Sequence, residues 1–427
     1  MTTFHIQTSG CLANQADSEQ MAGLLRQAKF EQVETIEDAD VVVFSADTVK
    51  SPHETSLFSQ LEQFKIEHPY KIVIIAGCIA QADKQKLKAY SLIGTKQIHN
   101  IIQVVEEALH DNILQLLNNN EMPPLNLPRV RKNPIIGILP ISRGCVDACA
   151  SCKTKKARAN VASLVSYPLA EVVEEAMKAV SAGVKEIWLT SQDAFCYGFD
   201  LGTDLPTLLE QLVQIPGDFK IKIGMGNSDH ISKIGPKLVE IYKHHKIFKF
   251  LHLPLQAGHD ETLKAMHCQY TVEEYLQTIN LFQREIPEIN IMTNIMVGYP
   301  TETEDHYWGT LEVVRKMTLD SINISCFWPR PDTAAADLEE LPAEIVQHRL
   351  RVLTDISHNG SKMRNERWVD WQGEILIDEK GKEERQWIGR NDSYKQIIVE
   401  GDFKLGDKIK VHIVKAEKFD LRGKVVS

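Results

Sequence analysis

Residues Ile135–Ala159 read IIGILPISRGCVDACASCKTKKARA, and this stretch decides the fold. Ile135–Ile141 is an apolar run of strand length, and a cysteine triple follows it directly. Cys145, Cys149 and Cys152 have the spacing CxxxCxxC. A structural zinc site takes four tetrahedral ligands, usually from two paired motifs, and no second CxxC or HxxxH lies near the triple. Three thiolates in one loop suit a four-iron cluster with one iron left open, which can chelate a small substrate through amino and carboxylate groups. Structural zinc remains the alternative.

Working downstream, apolar runs at Glu186–Thr190, Lys220–Ile223, Phe248–Leu253, Ile291–Val297 and Ser321–Phe327 alternate with amphipathic stretches. Leu169–Ser181, Pro206–Gln214, Val272–Glu285 and Glu304–Met317 are examples of the latter. Six strand–helix units predict an incomplete form of the eight-unit barrel, whose active site lies at the carboxyl ends of the strands. Gln192 and Asp193 follow the second of these strands, a position suited to binding a cofactor or a nucleoside. An ordinary loop cap is an equal alternative for Asp193.

Upstream, Phe4–Thr8, Val41–Phe44 and Lys71–Ala76 read as buried strands, with helices at Asp17–Ala28, Ser51–Phe64 and Val104–Leu109. The alternation predicts a parallel sheet covered by helices. Cys11, Asp47 and Cys78 each sit just past the carboxyl end of one of these strands, the edge at which open parallel sheets bind ligands. Residues 111–134, rich in Asn and Pro, read as a linker. After a charged helix at Ala343–Trp368, the short alternating runs Gln396–Val399 and Ile409–Val414 predict a small antiparallel barrel. There Lys408, Lys410 and His412 alternate with Ile409, Val411 and Ile413, giving one basic and one apolar face. The fold class is therefore α/β in three units: a parallel α/β domain over 1–110, a six-unit partial barrel over 135–360 and a small β-barrel over 361–427.

The net charge of −10 argues against wholesale nucleic-acid binding, but it hides an asymmetry. Between Pro128 and Arg158 there are eight Lys or Arg against one acid, Asp147. A basic stripe beside a metal site predicts a polyanionic partner, with Arg143, Lys153, Lys155, Lys156 and Arg158 as phosphate contacts. No apolar run reaches the roughly eighteen residues of a membrane span, and the start, MTTFHIQTSG, carries no secretory pattern. A cytoplasmic location is expected, and there eight cysteines suggest metal binding or burial, not disulfides. Cys196, Cys268 and Cys326 have no ligand spacing and are expected to be buried.

SRGCVDACASCKTKKARA resembles the cluster loop of the radical S-adenosylmethionine methylthiotransferases. TSGCLANQADSEQMAGLL, AGCIAQAD, LHLPLQAG, VGYPTETEDH and RPDTAA resemble that family's other motifs in the same order, across essentially the whole chain. PRVRKNPIIGILPIS, KTKKARA and Ser166–Pro168 look closest to the branch that acts on N6-threonylcarbamoyladenosine in tRNA. The segment GRNDSYKQIIVEGDFKLGDKIKVHIVKAEKFDLRGKVV resembles the TRAM domain, an RNA-binding barrel. The resemblance implies a [4Fe-4S] cluster on Cys145, Cys149 and Cys152 with S-adenosylmethionine. It also implies a second iron–sulfur cluster in the N-terminal domain that supplies or relays sulfur. The implied partners are the tRNA anticodon stem-loop and an electron donor such as a flavodoxin or ferredoxin, without a membrane. The implied reaction is radical abstraction of the C2 hydrogen of the modified adenosine, sulfur insertion and methylation.

The chain departs from the family pattern at several positions. The second cluster should have three cysteines; Cys11 and Cys78 match, but the middle position is Asp47, a harder ligand than thiolate. An Asp-ligated cluster, a three-iron cluster and no cluster are the possible outcomes. If no cluster forms, the chain is a tRNA-binding paralogue that has lost sulfur insertion. The usual aromatic residue before the third barrel cysteine is Ser151, whose backbone can still reach the adenine without stacking on it. Cys268 and Cys326 replace family arginines, Asn294 replaces an aspartate, and Asp332 replaces the glycine of RPGT.

Overall fold

The computed structural model describes residues 1–48, 51–117, 121–154, 157, 164–317 and 319–426, with the side chains of 51–53 left aside. Lys155, Lys156 and Arg158, expected as phosphate contacts, lie outside the described residues.

The N-terminal sheet is built from β1 (Thr3–Ser9), β2 (Glu31–Gln32), β3 (Val41–Ala46), β4 (Ile72–Gly77), β5 (Ser91–Ile93) and β6 (Gln115–Leu116). Its strand order is β2-β1-β3-β4-β5-β6, and every pairing is parallel. The runs VVVFSA and IVIIAG fit the central strands, since a sheet covered on both faces needs apolar side chains on both. Val41 and Val43 pack into one core layer, and Val42 and Phe44 into the other. The helices are α1 (Leu12–Gln27), α2 (Ser51–Glu67), α3 (Cys78–Ala82) and α4 (Ile101–Leu109). The strand β6 falls inside the segment read as a linker, where Gln115–Leu116 extends the sheet edge.

In the central unit, β7 (Ile136–Pro140) is followed by the short antiparallel pair β8 (Ser142–Arg143) and β9 (Val165–Ser166). Then come β10 (Glu186–Thr190), β11 (Lys220–Lys222), β12 (Phe250–His252), β13 (Asn290–Val297) and β14 (Ser321–Cys326). The parallel sheets β11-β10-β7 and β12-β13-β14 are linked by a parallel bridge between Ile221 and Ile247. The result is an open arc of six strands around one large core that includes Ile187, Leu189, Ile221, Leu251, Ile291 and Ile295.

The helix Ala343–Glu366 runs through position 361, so the small barrel begins at Gln372. It is closed in the order β15 (Gln372–Lys380), β16 (Gln386–Arg390), β17 (Gln396–Glu400), β19 (Leu421–Val425) and β18 (Lys408–Ala416). One pairing departs from the antiparallel expectation: β17 and β19 run parallel, because the chain crosses between them by way of β18 instead of a hairpin. The barrel docks at the amino ends of the arc. Lys395 and Arg364 both reach Asp320, which precedes β14, at 2.7 and 3.3 Å. Tyr394 packs against Trp188, Phe248 and Phe250. This leaves the carboxyl mouth of the arc to the N-terminal domain.

Candidate functional site

The cysteine loop leaves β8 at the carboxyl mouth of the arc, and its backbone is anchored on three sides. Gly144 N–H donates to Gln192 Oε1 (2.7 Å), Ala150 N–H to the Met266 carbonyl (3.1 Å) and Ala335 N–H to the Ala150 carbonyl (2.9 Å). Gln192 thus holds the loop from the next strand, while Ser151 sits half-buried in the turn where Cys152 N–H meets the Cys149 carbonyl at 3.3 Å. Cys145 and Cys149 are half-buried and Cys152 is exposed.

A polar network surrounds Cys145. Its thiol donates to Asp147 Oδ2 at 3.1 Å, and Asp147 N–H donates back to the sulfur at 3.4 Å. The Asp147 carboxylate also meets Asn227 Nδ2 at 2.6 Å and His230 Nε2 at 2.9 Å. Burial works against the Asp147 anion, but hydrogen bonds from His230, Asn227 and Cys145 outweigh it and hold the carboxyl below its usual range. Asp193 is buried; its Oδ1 accepts from the backbone N–H of Phe195 and of Asn227, each at 2.9 Å. Burial pushes its carboxyl up to about 6, and its Oδ2 stands 3.5 Å from His230. Asp193 therefore caps its loop and faces the Cys145 network as well. Sulfur and carboxylate oxygens of Cys145, Asp147 and Asp193 all lie within 4.8 Å of one another.

Without metal, burial above all holds the Cys145 and Cys149 thiols well above their ordinary range, with Asp147 adding to this at Cys145 and the neighbouring Cys152 at Cys149. Only a bound cation reverses that, since coordination deprotonates a thiol. His230 and Asn227 were not recognised in the sequence. Their one signal is position, at the start of the helix Ser228–Tyr242 that follows the third strand of the arc. Cys196 is buried as expected, with its thiol on the Asp193 carbonyl at 3.2 Å. Cys268 is only partly buried, next to Cys149, and its thiol is pushed up to about 12 by burial.

The second candidate site forms at the N-terminal sheet. The register places Ser9 beside Ala46 and Ala46 beside Gly77, so Cys11, Asp47 and Cys78 emerge from three adjacent strand ends. The strand order reverses between β1 and β3, and such a switch point opens a crevice for ligands. Cys11 caps the start of α1 and Cys78 begins α3. Asp47 is 2% exposed, and a Cβ on Gly10 would fall 2.5 Å from its carboxylate, at a backbone φ of +119°. Gly10→Ala is therefore expected to displace Asp47 and to cost about 1–3 kcal/mol in strain. An iron assay on the purified variant, with a thermal melt, checks both.

Residues 3–93 match the model of the uncharacterized protein family UPF0004, 139–314 that of the radical SAM superfamily and 373–426 that of the TRAM domain. The threonylcarbamoyladenosine tRNA methylthiotransferase of Drosophila melanogaster is 36% identical over 99% of this chain and 77% of its own length. That of Homo sapiens is 34% identical, over 99% and 74%. The chain belongs to the threonylcarbamoyladenosine tRNA methylthiotransferase family. The probable member from Pyrococcus horikoshii is 35% identical over 90% of each chain.

Among solved structures, the radical S-adenosylmethionine methyltransferase TsrM from Kitasatospora setae shares the fold with a TM-score of 0.56, at 12% identity over 79% of this chain and 75% of that one. Membership in the radical SAM superfamily implies a [4Fe-4S] cluster and S-adenosylmethionine. The soft donor set of three thiols on one anchored loop, with burial at Cys145 and Cys149 that disfavours their thiolates until a cation arrives, fits such a cluster. At the second site two cysteines and a buried carboxylate follow three neighbouring strand ends, a mixed donor set whose chemistry also suits iron.

Two residues of this methylthiotransferase do not take the place expected of them. Arg143 is 3% exposed; it is paired with Asp17 at 2.7 Å and donates to the Thr95 carbonyl at 2.9 Å. Lys153, 5% exposed, is held by Glu54 at 3.1 Å and Asp83 at 2.6 Å. Neither reaches solvent phosphates, because both cross to acids of the N-terminal domain. In the small barrel, Lys408 is paired with Asp218 and Glu374 and His412 with Asp370, while Lys410 and, across from His412, Lys424 are exposed cations of that face. The departure at Asp332 is accommodated: its φ of +64° is a left-handed conformation that suits glycine and that aspartate tolerates better than most residues. Asn294 accepts a 3.0 Å hydrogen bond from His252 inside the arc. Among the described residues no helix is long and apolar enough to cross a membrane.

Proposed function

We propose that this chain adds a methylthio group to C2 of N6-threonylcarbamoyladenosine beside the tRNA anticodon. The observation that carries the reading is the facing pair of sites: a three-thiol loop at the mouth of a six-strand arc, closed by a domain whose Cys11, Asp47 and Cys78 follow neighbouring strand ends at a sheet switch point. Full-length likeness to relatives named for that reaction supports it.

Cys145, Cys149 and Cys152 would hold the first cluster, and S-adenosylmethionine would bind with it. When bound, this pair supplies one-electron cleavage of the sulfonium, which starts radical chemistry at C2; an external electron donor is needed. The chain's own residues position and shield that event. Gln192 fixes the loop through Gly144, and Asp147, itself held by Asn227 and His230, orients Cys145. Ser151, Gln192 and Asp193 line the side on which the cofactor and nucleoside are bound. The C-terminal barrel, through Lys410 and its neighbours, contacts tRNA phosphates, so affinity falls with salt.

Cys11, Asp47 and Cys78 hold a second iron–sulfur cluster. Asp47 is a hard ligand and grips it less firmly than cysteine. The place of all three residues at neighbouring strand ends supports this over a lapsed paralogue. Anaerobically reconstituted chain is expected to carry about eight irons, with Cys78→Ala reduced to about four. A native value of about four, rising only in Asp47→Cys, would sink the second-cluster reading.

A further inference from the structure

Besides Arg143, the cations Lys153 and Arg330 cross from the arc to the N-terminal domain beside the ligand sets without belonging to either. Lys153, one residue past Cys152, places Nζ 3.1 Å from Glu54 Oε1 and 2.6 Å from Asp83 Oδ2. Arg330, in the loop after β14, places a guanidinium nitrogen 2.7 Å from the same Glu54 oxygen and donates to the Thr48 carbonyl. The side chains of Lys153, Glu54, Asp83 and Arg330 are 3%, 14%, 8% and 5% exposed.

The attachment points give this cluster its meaning. Thr48 follows Asp47, and Asp83 caps α3, the helix that Cys78 begins. A single carboxylate oxygen, Glu54 Oε1, thus joins the backbone at Thr48, next to Asp47, through Arg330 to Lys153, next to Cys152. Lys153 extends the tie to the Cys78 helix. Four charges, two buried and two half-buried, are a costly way to join two domains, and apolar packing would hold them at least as well. What apolar packing lacks is direction. A charge-assisted network fixes angle and distance, and a misplacement of about 1 Å can cost roughly a hundredfold in rate.

We infer that Glu54 is a positioning residue that sets the Cys11/Asp47/Cys78 site against the Cys145/Cys149/Cys152 loop, so that both act on one bound nucleoside. The inference rests on the two-site reading above. Glu54 belongs to neither ligand set, so its loss acts on the coupling between the two half-reactions and leaves each set of ligands in place.

The test is anaerobic turnover of fully reconstituted Glu54→Gln, reading methylthio nucleoside formed per 5′-deoxyadenosine released. The ratio is expected to fall about tenfold or more while 5′-deoxyadenosine release stays near native. Asp83→Asn, which keeps the Arg330–Glu54 pair, is expected to show a smaller fall. As a readout that needs no loaded cluster, amide exchange in unloaded Glu54→Gln is expected to quicken at residues 78–83 and 150–154 and nowhere in the C-terminal barrel. A native product ratio in Glu54→Gln overturns the inference. If that variant does not fold, a native ratio in Asp83→Asn does so. Should native chain release 5′-deoxyadenosine but form no methylthio nucleoside, the functional reading fails, and unchanged exchange in Glu54→Gln then overturns the positioning role separately.

Discussion

Cys149→Ala is expected to lower reductive cleavage of S-adenosylmethionine by at least about a hundredfold, the range that even outer partners of a metal site reach. Chromatography of 5′-deoxyadenosine after anaerobic reduction reads it. Cys149 lies between the other two ligands, beside Cys152, and two remaining thiols cannot replace it. The loop itself is expected to stay in place, because its anchors are backbone groups: Ala150 on Met266, Ala335 on Ala150, and the Ala148 carbonyl on His267 Nδ1 at 3.0 Å. Affinity for tRNA should therefore change little. Unchanged cleavage in this variant would remove the cluster assignment altogether.

Arg143→Ala is expected to destabilise the chain by about 3–5 kcal/mol, since it strips the guanidinium from a carboxylate, Asp17, whose side chain is 1% exposed. The Thr95 carbonyl loses its donor too. In a chain of three units this shows as a lower melting temperature, without assuming two-state unfolding. The same variant separates two roles for Arg143. A buried interdomain pair leaves the salt dependence of tRNA binding unaltered, whereas a phosphate contact would reduce its slope by nearly one. The structure predicts the first result.

The arc was legible because most of its strands carry apolar or alternating runs of strand length between amphipathic helices. Glu186–Thr190 and the helices Leu169–Ser181, Val272–Glu285 and Glu304–Met317 fall where periodicity puts them. Thr271 and Glu274 even form a capping box for the second of these helices. The start of α1 was not legible: LANQ reads as polar loop, yet the helix begins at Leu12, directly after Cys11, because the sheet edge brings a buried face to it. Small-barrel strands such as Leu421–Val425 were also hidden, since LRGKV carries little alternating hydrophobicity and pairs with distant strands.

Ligand spacing is local, so Cys145, Cys149 and Cys152 stood out in the sequence. Charge partners are not local. Arg143 and Lys153 looked like a solvated stripe because Asp17, Glu54 and Asp83 lie 126, 99 and 70 residues away. His230 escaped for the same reason, 83 residues from Asp147. Strand counting puts Asp47 just past a strand end, but only the register across β1, β3 and β4 shows it level with Cys78 and with Gly10, the residue before Cys11.

The central claim is the reaction itself. Reconstituted chain, reductant, sulfide, S-adenosylmethionine and tRNA bearing N6-threonylcarbamoyladenosine are combined without oxygen, and the digested nucleosides are weighed by mass spectrometry. A methylthio adduct on that nucleoside is the predicted result, and it would show that Asp47 serves where a cysteine is usual. Release of 5′-deoxyadenosine with every such nucleoside left unmodified would contradict the account.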